Sequence, residues 1–309
     1  MKVIFMGTPD FSVPTLQAVI DHHDVIAVVT QPDKPKGRGK AMAFPPVKEK
    51  AMEYGIPVYQ PVKARDPEFV KILKDLAPDV IVVVAFGQIL PKEILEIPKY
   101  GCINGHASIL PMYRGAGPVQ WVVINGEQET GITTMRMDEG LDTGDMIEKA
   151  VIPIEPKETG GTLHDKLMVL GGELMVSTLE KLEKGTAVFT PQGDGKTCYA
   201  SMLDKKMGDI DFTKSAVEIE RLIRGLNPWP SAYTTLNGKT MKIWDADVVA
   251  GKEGVLPGTV LEVTKKSIIV QTGKDALSLN EIQLAGKKRM KTEAFLLGYH
   301  IETGSRLGD

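Results

Sequence analysis

An α/β protein with a mostly parallel sheet, followed by a small separate β domain, is what this sequence predicts, and three observations carry the prediction. Short apolar runs alternate with helical stretches through the first half. One of them, Val80-Ile81-Val82-Val83-Val84-Ala85, is nearly all β-branched, as a strand buried on both faces should be. Past residue 185 the style changes to breakers and short strands. At 309 residues the chain is long enough for two domains, expected at 1–185 and 205–309 with a linker over 186–204.

In chain order, Lys2 to Met6 is a short apolar run closed by Gly7, and Thr8-Pro9-Asp10 then precedes a helix through Val19 and Ile20. Val25 to Thr30 is the next strand. Strands separated by helices imply a parallel sheet with ligands at the carboxyl ends of the strands. Thr190-Pro191-Gln192-Gly193-Asp194-Gly195 carries breakers and little periodicity, which suits a linker. Ser215 to Leu226 is helical, with Ile219, Leu222, Ile223 and Leu226 on one stripe, and Asn227-Pro228-Trp229-Pro230 stops it. Strands follow at Met241–Trp244, Gly258–Val263, Ser267–Thr272 and Ala276–Leu284. Thr264-Lys265-Lys266 makes a hairpin loop, and a small β-barrel is the natural closure.

Composition removes several classes of function. The chain is 42% hydrophobic and 25% charged, the balance of a globular protein with real cores. No apolar run reaches the roughly 20 residues of a membrane span, and Val3 to Met6 is too short for a secretory core. Two cysteines, Cys102 and Cys198, build no disulfide framework, so a reducing cytoplasm is expected. Residues 1–204 hold 21 Lys+Arg against 27 Asp+Glu, whereas residues 205–309 hold 16 against 13. The basic second half hints at an anionic partner.

The motifs narrow the chemistry. Gly7-Thr8-Pro9-Asp10-Phe11 lacks the later glycines of a dinucleotide loop, and Pro9 supplies no backbone donor. Lys34, Lys36, Arg38 and Lys40 alternate with Pro35, Gly37 and Gly39 after a strand end, which suits either a solvated loop or phosphate contact. Cys102-Ile103-Asn104-Gly105-His106 places three polar side chains on one face of an extended segment. Cα atoms two apart lie about 6.6 Å apart, so Asn104 and His106 can converge on one centre; Cys102 and His106, about 13 Å apart, cannot pair. Cys102 is therefore expected to be a packed residue. Asp138 to Asp145 offers four carboxylates in eight residues. A calcium loop fails there because Thr143 replaces the required Gly and Lys149 the required Glu, and no zinc spacing is legible. That leaves a solvated turn or a carboxylate that orients an imidazole.

Together, Met6-Gly7-Thr8-Pro9-Asp10-Phe11, the Gln31 to Lys40 loop, Ala85-Phe86-Gly87-Gln88-Ile89-Leu90-Pro91, Asn104-x-His106-x-Ser108-Ile109-Leu110-Pro111-x-Tyr113-Arg114-Gly115 and Gly140-Leu141-Asp142-Thr143-Gly144-Asp145 resemble the methionyl-tRNA formyltransferase family. The likeness continues through Asn227 to Tyr233. Its Asn-x-His core and later Leu-Asp-x-Gly are shared by folate-dependent formyltransferases generally. Gly105 stands where the family often has Val, a small departure.

The resemblance implies a Rossmann-like catalytic domain over 1–185 and an OB-like β-barrel that binds tRNA over 205–309. It implies formyl transfer from 10-formyltetrahydrofolate, a co-substrate, to the α-amine of methionine on initiator methionyl-tRNA, for translation initiation. Asn104, His106 and Asp142 would be catalytic. Phe86, Gly87, Gln88, Ile89, Leu90 and Pro91, with Ser108, Ile109, Leu110 and Pro111, would line the folate pocket. Lys34, Lys36, Arg38 and Lys40 would meet the tRNA. The expected protein is a cytoplasmic monomer with no membrane partner, no metal and no tightly bound cofactor. The rival reading is a folate-dependent formyltransferase acting on a sugar-nucleotide or ribonucleotide amine, which would need neither the basic loop nor the barrel.

Overall fold

The structure is a computed structural model that describes residues 1–36, 41–193 and 197–308. It contains two compact units interleaved in sequence. Residues 1–115, 129–153 and 164–200 form the first; residues 116–128, 154–163 and 201 onward form the second.

The first unit is built on seven strands: β1 (Lys2–Gly7), β2 (Asp24–Val29), β3 (Val58–Tyr59), β4 (Val80–Val84), β5 (Cys102–His106), β6 (Glu129–Arg136) and β7 (Met146–Pro153). Their order is β7-β6-β5-β4-β1-β2-β3. Neighbours from β3 to β5 run parallel, whereas β6 runs antiparallel to both β5 and β7. The expected mostly parallel sheet is therefore present, with an antiparallel hairpin added at one edge. All five residues of β4 are buried, which is why that run is so uniformly apolar.

Helices α1 (Val13–His22), α2 (Pro46–Glu53), α3 (Pro67–Leu76) and α4 (Lys92–Leu95) fall between the parallel strands. Strand order reverses between β1 and β4, and such a switch point opens a crevice at the carboxyl ends. Gly7 sits at that turn. A Cβ there would lie 2.7 Å from the Phe5 ring and 2.9 Å from the Val84 carbonyl oxygen, so no larger residue fits without movement. Ser12 Oγ donates to that same carbonyl at 2.6 Å.

Strands β6 and β7, together with α5 (Pro118–Asn125) and the 24-residue α6 (Gly160–Glu183), are additions to the sequence reading. Thr130, Thr133 and Thr134 are almost wholly buried within β6, which breaks the apolar pattern a core strand normally displays. Gly171 and Gly172 likewise weaken α6 as a helical signal. Gly172 nevertheless has a packing reason, because a Cβ there would stand 3.2 Å from the Pro14 carbonyl oxygen at the start of α1.

His23 ends α1, and neither of its sealed ring nitrogens has a hydrogen-bond partner among the described residues. Burial lowers its pKa, and the nearby terminal amino group lowers it further. Folding then favours the neutral ring. The associated stability is complete above the unfolded value of about 6.5 and is lost as pH falls through the depressed folded value. Urea midpoints should therefore fall between pH 7 and pH 5. His23→Gln, which does not titrate, should fall less steeply over the same range.

The second unit holds α7 (Ala216–Gly225) and an antiparallel sheet. Its strands are β8 (Ala232–Leu236), β9 (Lys239–Val249), β10 (Val260–Val263), β11 (Ile268–Gln271), β12 (Ala276–Leu284) and β13 (Met290–Lys291). The order is β8-β9-β12-β11-β10, with β13 on β12. Ser215 and Glu218 form a reciprocal capping box at the start of α7. Ile219, Ile223 and Leu226 from the expected stripe are buried. Asn237 and Gly238, both at positive φ, make the two-residue turn between β8 and β9. At the end of the chain, Ser305 O accepts from Val260 N on β10, and Gly308 N donates to Thr235 O on β8. The terminal segment thus bonds both edge strands, which is what barrel closure requires.

Candidate active site

Alternation along β5 puts Cys102, Asn104 and His106 on one face, but their environments differ. Cys102 is 1% exposed in the core beside Ile94, and burial pushes its thiol up to about 12. A thiol held neutral in an apolar core is no nucleophile. Cys102→Ala should keep turnover within about twofold while costing some stability, and wild type should survive mild thiol alkylation. Stoichiometric inactivation by a thiol reagent, absent in Cys102→Ala, would reverse this assignment.

Asn104 and His106 lie at the carboxyl end of β5, where Asp142 meets them from the acidic turn. Asp142 Oδ1 is 3.5 Å from Asn104 Nδ2, and Oδ2 is 3.7 Å from His106 Nδ1. The firm bond to the carboxylate comes from Gly115 N, which donates to Oδ2 at 2.9 Å. His106 Nε2 lies 2.8 Å from the Tyr113 carbonyl oxygen. A carbonyl only accepts, so Nε2 carries a proton, and Nδ1, facing Asp142, is the nitrogen that can gain or lose one. When charged, the ring has an acceptor on each side.

Two of the other three carboxylates of the turn have separate work. Asp138 accepts from Gly140 N at 3.0 Å and from Thr143 Oγ1 at 2.6 Å, closing the turn on itself. Asp145 pairs with Arg136 at 3.2 Å. No group of three or more His, Cys, Asp or Glu among the described residues is placed to hold a metal ion.

The expected folate-lining residues flank this centre on the segments after β4 and β5, and they divide by orientation. Phe86 and Leu90 are buried in the core, and Gln88 turns inward, accepting from Ala64 N at 2.7 Å and donating to Pro61 O at 3.2 Å. Gly87 adopts a φ of +82°, Ile89 is 85% exposed, and Pro91 precedes α4. Ser108 is fully buried and donates to Met112 O at 2.7 Å. Leu110 packs with Met135 and Met146, while Ile109 and Pro111 are half-buried. What these segments offer outward is backbone around Gly87, together with Ile89, Ile109 and Pro111.

Lys34–Lys36 pairs antiparallel with Ala41–Ala43. Lys34 is exposed, and Arg38 and Lys40 lie outside the described residues. Lys48 donates to Asp33, just before this strand pair, at 2.7 Å and to Gln60 at 3.0 Å. The hydrogen bonds from Lys48 and Gln60 hold the Asp33 carboxyl below its usual range. One side chain outside the expected set, Gln192, reaches the acidic turn, and a second, Arg114, donates to Gln192. Nothing in the local sequence marks Gln192, which sits between the breakers Pro191 and Gly193.

Asn104, His106 and Asp142 are thus gathered beyond one strand end of a mostly parallel sheet. Residues 1–179 match the formyl transferase family, residues 202–300 match the formyl transferase C-terminal domain, and the chain belongs to that family. It is 60% identical over 306 residues to the methionyl-tRNA formyltransferase of Agathobacter rectalis, covering 99% of each chain. It is 56% identical over 309 residues to that of Clostridioides difficile, covering 100% of each. In fold it is similar to the N-formyltransferase from Helicobacter canadensis, solved with folinic acid and dTDP-3-aminofucose. The TM-score is 0.67 at 21% identity, over 90% of this chain and 99% of that one. The resemblance read from the motifs is borne out along the full length.

Proposed function

We propose that this chain transfers the formyl group of 10-formyltetrahydrofolate to the α-amino group of methionine on initiator methionyl-tRNA. The observation that carries the mechanism is the convergence of Asn104, His106 and Asp142 at the end of β5. The free amine attacks the formyl carbon, a C–N bond forms, and negative charge develops on the formyl oxygen. Asn104 Nδ2 donates to that oxygen, and such a donor is typically worth about 10²–10³ in rate. The bond from carbon to the folate N10 then breaks. The amine loses one proton and N10 gains one, and His106 Nδ1 is the group positioned to move it, with Asp142 offsetting the ring's positive charge.

Contact with tRNA is assigned to Lys34, Lys36, Arg38 and Lys40, and to the second unit. There Lys242 and Arg289 lie over the Trp244 ring at 5.4 and 4.7 Å from its centroid, a cationic and aromatic surface suited to nucleic acid. Among the described residues no helix is long and apolar enough to cross a membrane, and a cytoplasmic monomer remains our reading.

A second reading, formylation of a sugar-nucleotide amine, is raised by the Helicobacter relative, whose 21% identity supports the fold alone. The full-length relatives favour the tRNA substrate. Labelled 10-formyltetrahydrofolate incubated with charged initiator tRNA, charged elongator tRNA or a dTDP-amino sugar separates the readings. Label should appear on the methionine of the initiator species. Label on the sugar alone would overturn the proposal.

A further inference from the structure

We propose that Gln192 is a positioning residue which, braced by Arg114, sets the backbone of Asp142 for formyl transfer; the inference rests on the catalytic reading of Asp142 given above. Asp142 has a φ of +54°, a left-handed conformation that a non-glycine residue adopts only at a cost. The turn's own bonds, through Asp138, reach Gly140 and Thr143 but not the Asp142 carbonyl. Gln192 supplies that hold. Its Nε2 donates to Asp142 O and Gly144 O, each at 2.8 Å.

The other end of the same amide is matched as closely. Gln192 Oε1 accepts from Arg114 Nε at 3.0 Å and from Nη2 at 2.7 Å. The guanidinium only donates and the carbonyls only accept, so the orientation of the amide is fixed by its partners. Arg114 is itself 8% exposed, and its neighbour Gly115 donates to the Asp142 carboxylate. Asp142 is thus held at its backbone through Gln192 and at its side chain through Gly115, both linked to one short segment. Gln192 is delivered there by a chain tied on both sides. Thr190 exchanges two backbone hydrogen bonds with Met146, and Tyr199–Ala200 pairs in parallel with Arg114–Gly115.

Only an amide fits this exchange of donors and acceptors. Glutamate would keep the acceptors for Arg114 but set an anion against two carbonyl oxygens. Alanine would release the turn. A shift of about 1 Å in a catalytic group can cost on the order of 10² in rate. Gln192→Ala and Gln192→Glu should each lower kcat about tenfold or more, with KM for folate and for tRNA changed less than about threefold. The deciding measurement is kcat for Gln192→Ala, Asp142→Asn and the double variant, each checked for a native unfolding transition.

If Gln192 acts through Asp142, the double variant is no more than about twofold slower than Asp142→Asn alone. Losses that multiply would overturn the positioning role. A slow Asp142→Asn beside a Gln192→Ala of wild-type kcat would overturn it too, leaving the reading of Asp142 intact. A fully active Asp142→Asn would overturn that reading first. Should Gln192→Ala fail to fold, Arg114→Lys, which keeps the charge but loses the fork, takes its place with the same expected non-additivity.

Discussion

Asn104→Ala, His106→Ala and Asp142→Asn should each lower turnover by at least about 10²-fold while leaving the fold intact. The size follows from the roles. Losing an oxyanion donor costs about 10²–10³, and losing a general acid–base about 10²–10⁴. The fold should survive because all three lie at the carboxyl end of β5 and in the turn beyond β6, apart from the apolar cluster around Cys102. Losses in the three should not multiply, since Asp142 lies 3.5 Å from Asn104 and 3.7 Å from His106 and the three act as a unit. Steady-state rates for the three single variants and the triple variant check this.

The second large effect concerns tRNA. Binding should weaken steeply with salt as phosphate contacts release counterions, and each contact removed should flatten the log–log slope by roughly 0.7 to 0.9. Arg38→Ala should impair formylation of methionyl-tRNA at least about tenfold while leaving folate binding unchanged. Arg38→Lys should recover only part of the loss, because lysine lacks the guanidinium fork. Lys242→Ala and Arg289→Ala should lower affinity and slope with little effect on turnover at saturating tRNA.

These tests use the full chain for a structural reason. A truncation at residue 205 would remove α7 from α5, and the two are packed so closely that a Cβ at Gly225 would fall 2.4 Å from Ile124. Affinity measured across a salt series is the check. Wild-type slopes in all of these variants would contradict the assignment.

Parts of this architecture are legible in the chain because local chemistry and tertiary role coincide there. The β-branched run at Val80–Val84 is buried on both faces, and the spacing of Asn104 and His106 survives directly as a shared strand face. Cys102 is readable by distance alone. Other elements are obscured by their own side chains. Three buried threonines disguise β6, and paired glycines that permit close helix packing lower the helical signal of α6. Asn237-Gly238 is a strong turn signal whose flanking strand, β8, is short.

Gln192 is invisible for a different reason. Its partner Arg114 is 78 positions away, and its role exists only once Thr190 has paired with Met146. The residues expected to line a folate pocket divide by orientation. The segments stand beside the site, yet Phe86, Leu90, Ser108 and Leu110 turn inward, so it is their backbone and their neighbours that face outward.

On the proposed mechanism, Asn104, His106 and Asp142 act on the chemical step rather than on binding. The most direct measurement is single-turnover transfer of labelled formyl with both substrates prebound at saturating concentration, comparing wild type with His106→Ala. His106→Ala should be slower by about 10²-fold or more, with unchanged affinity for folate and for tRNA. A near-wild-type single-turnover rate in a folded His106→Ala protein would contradict it.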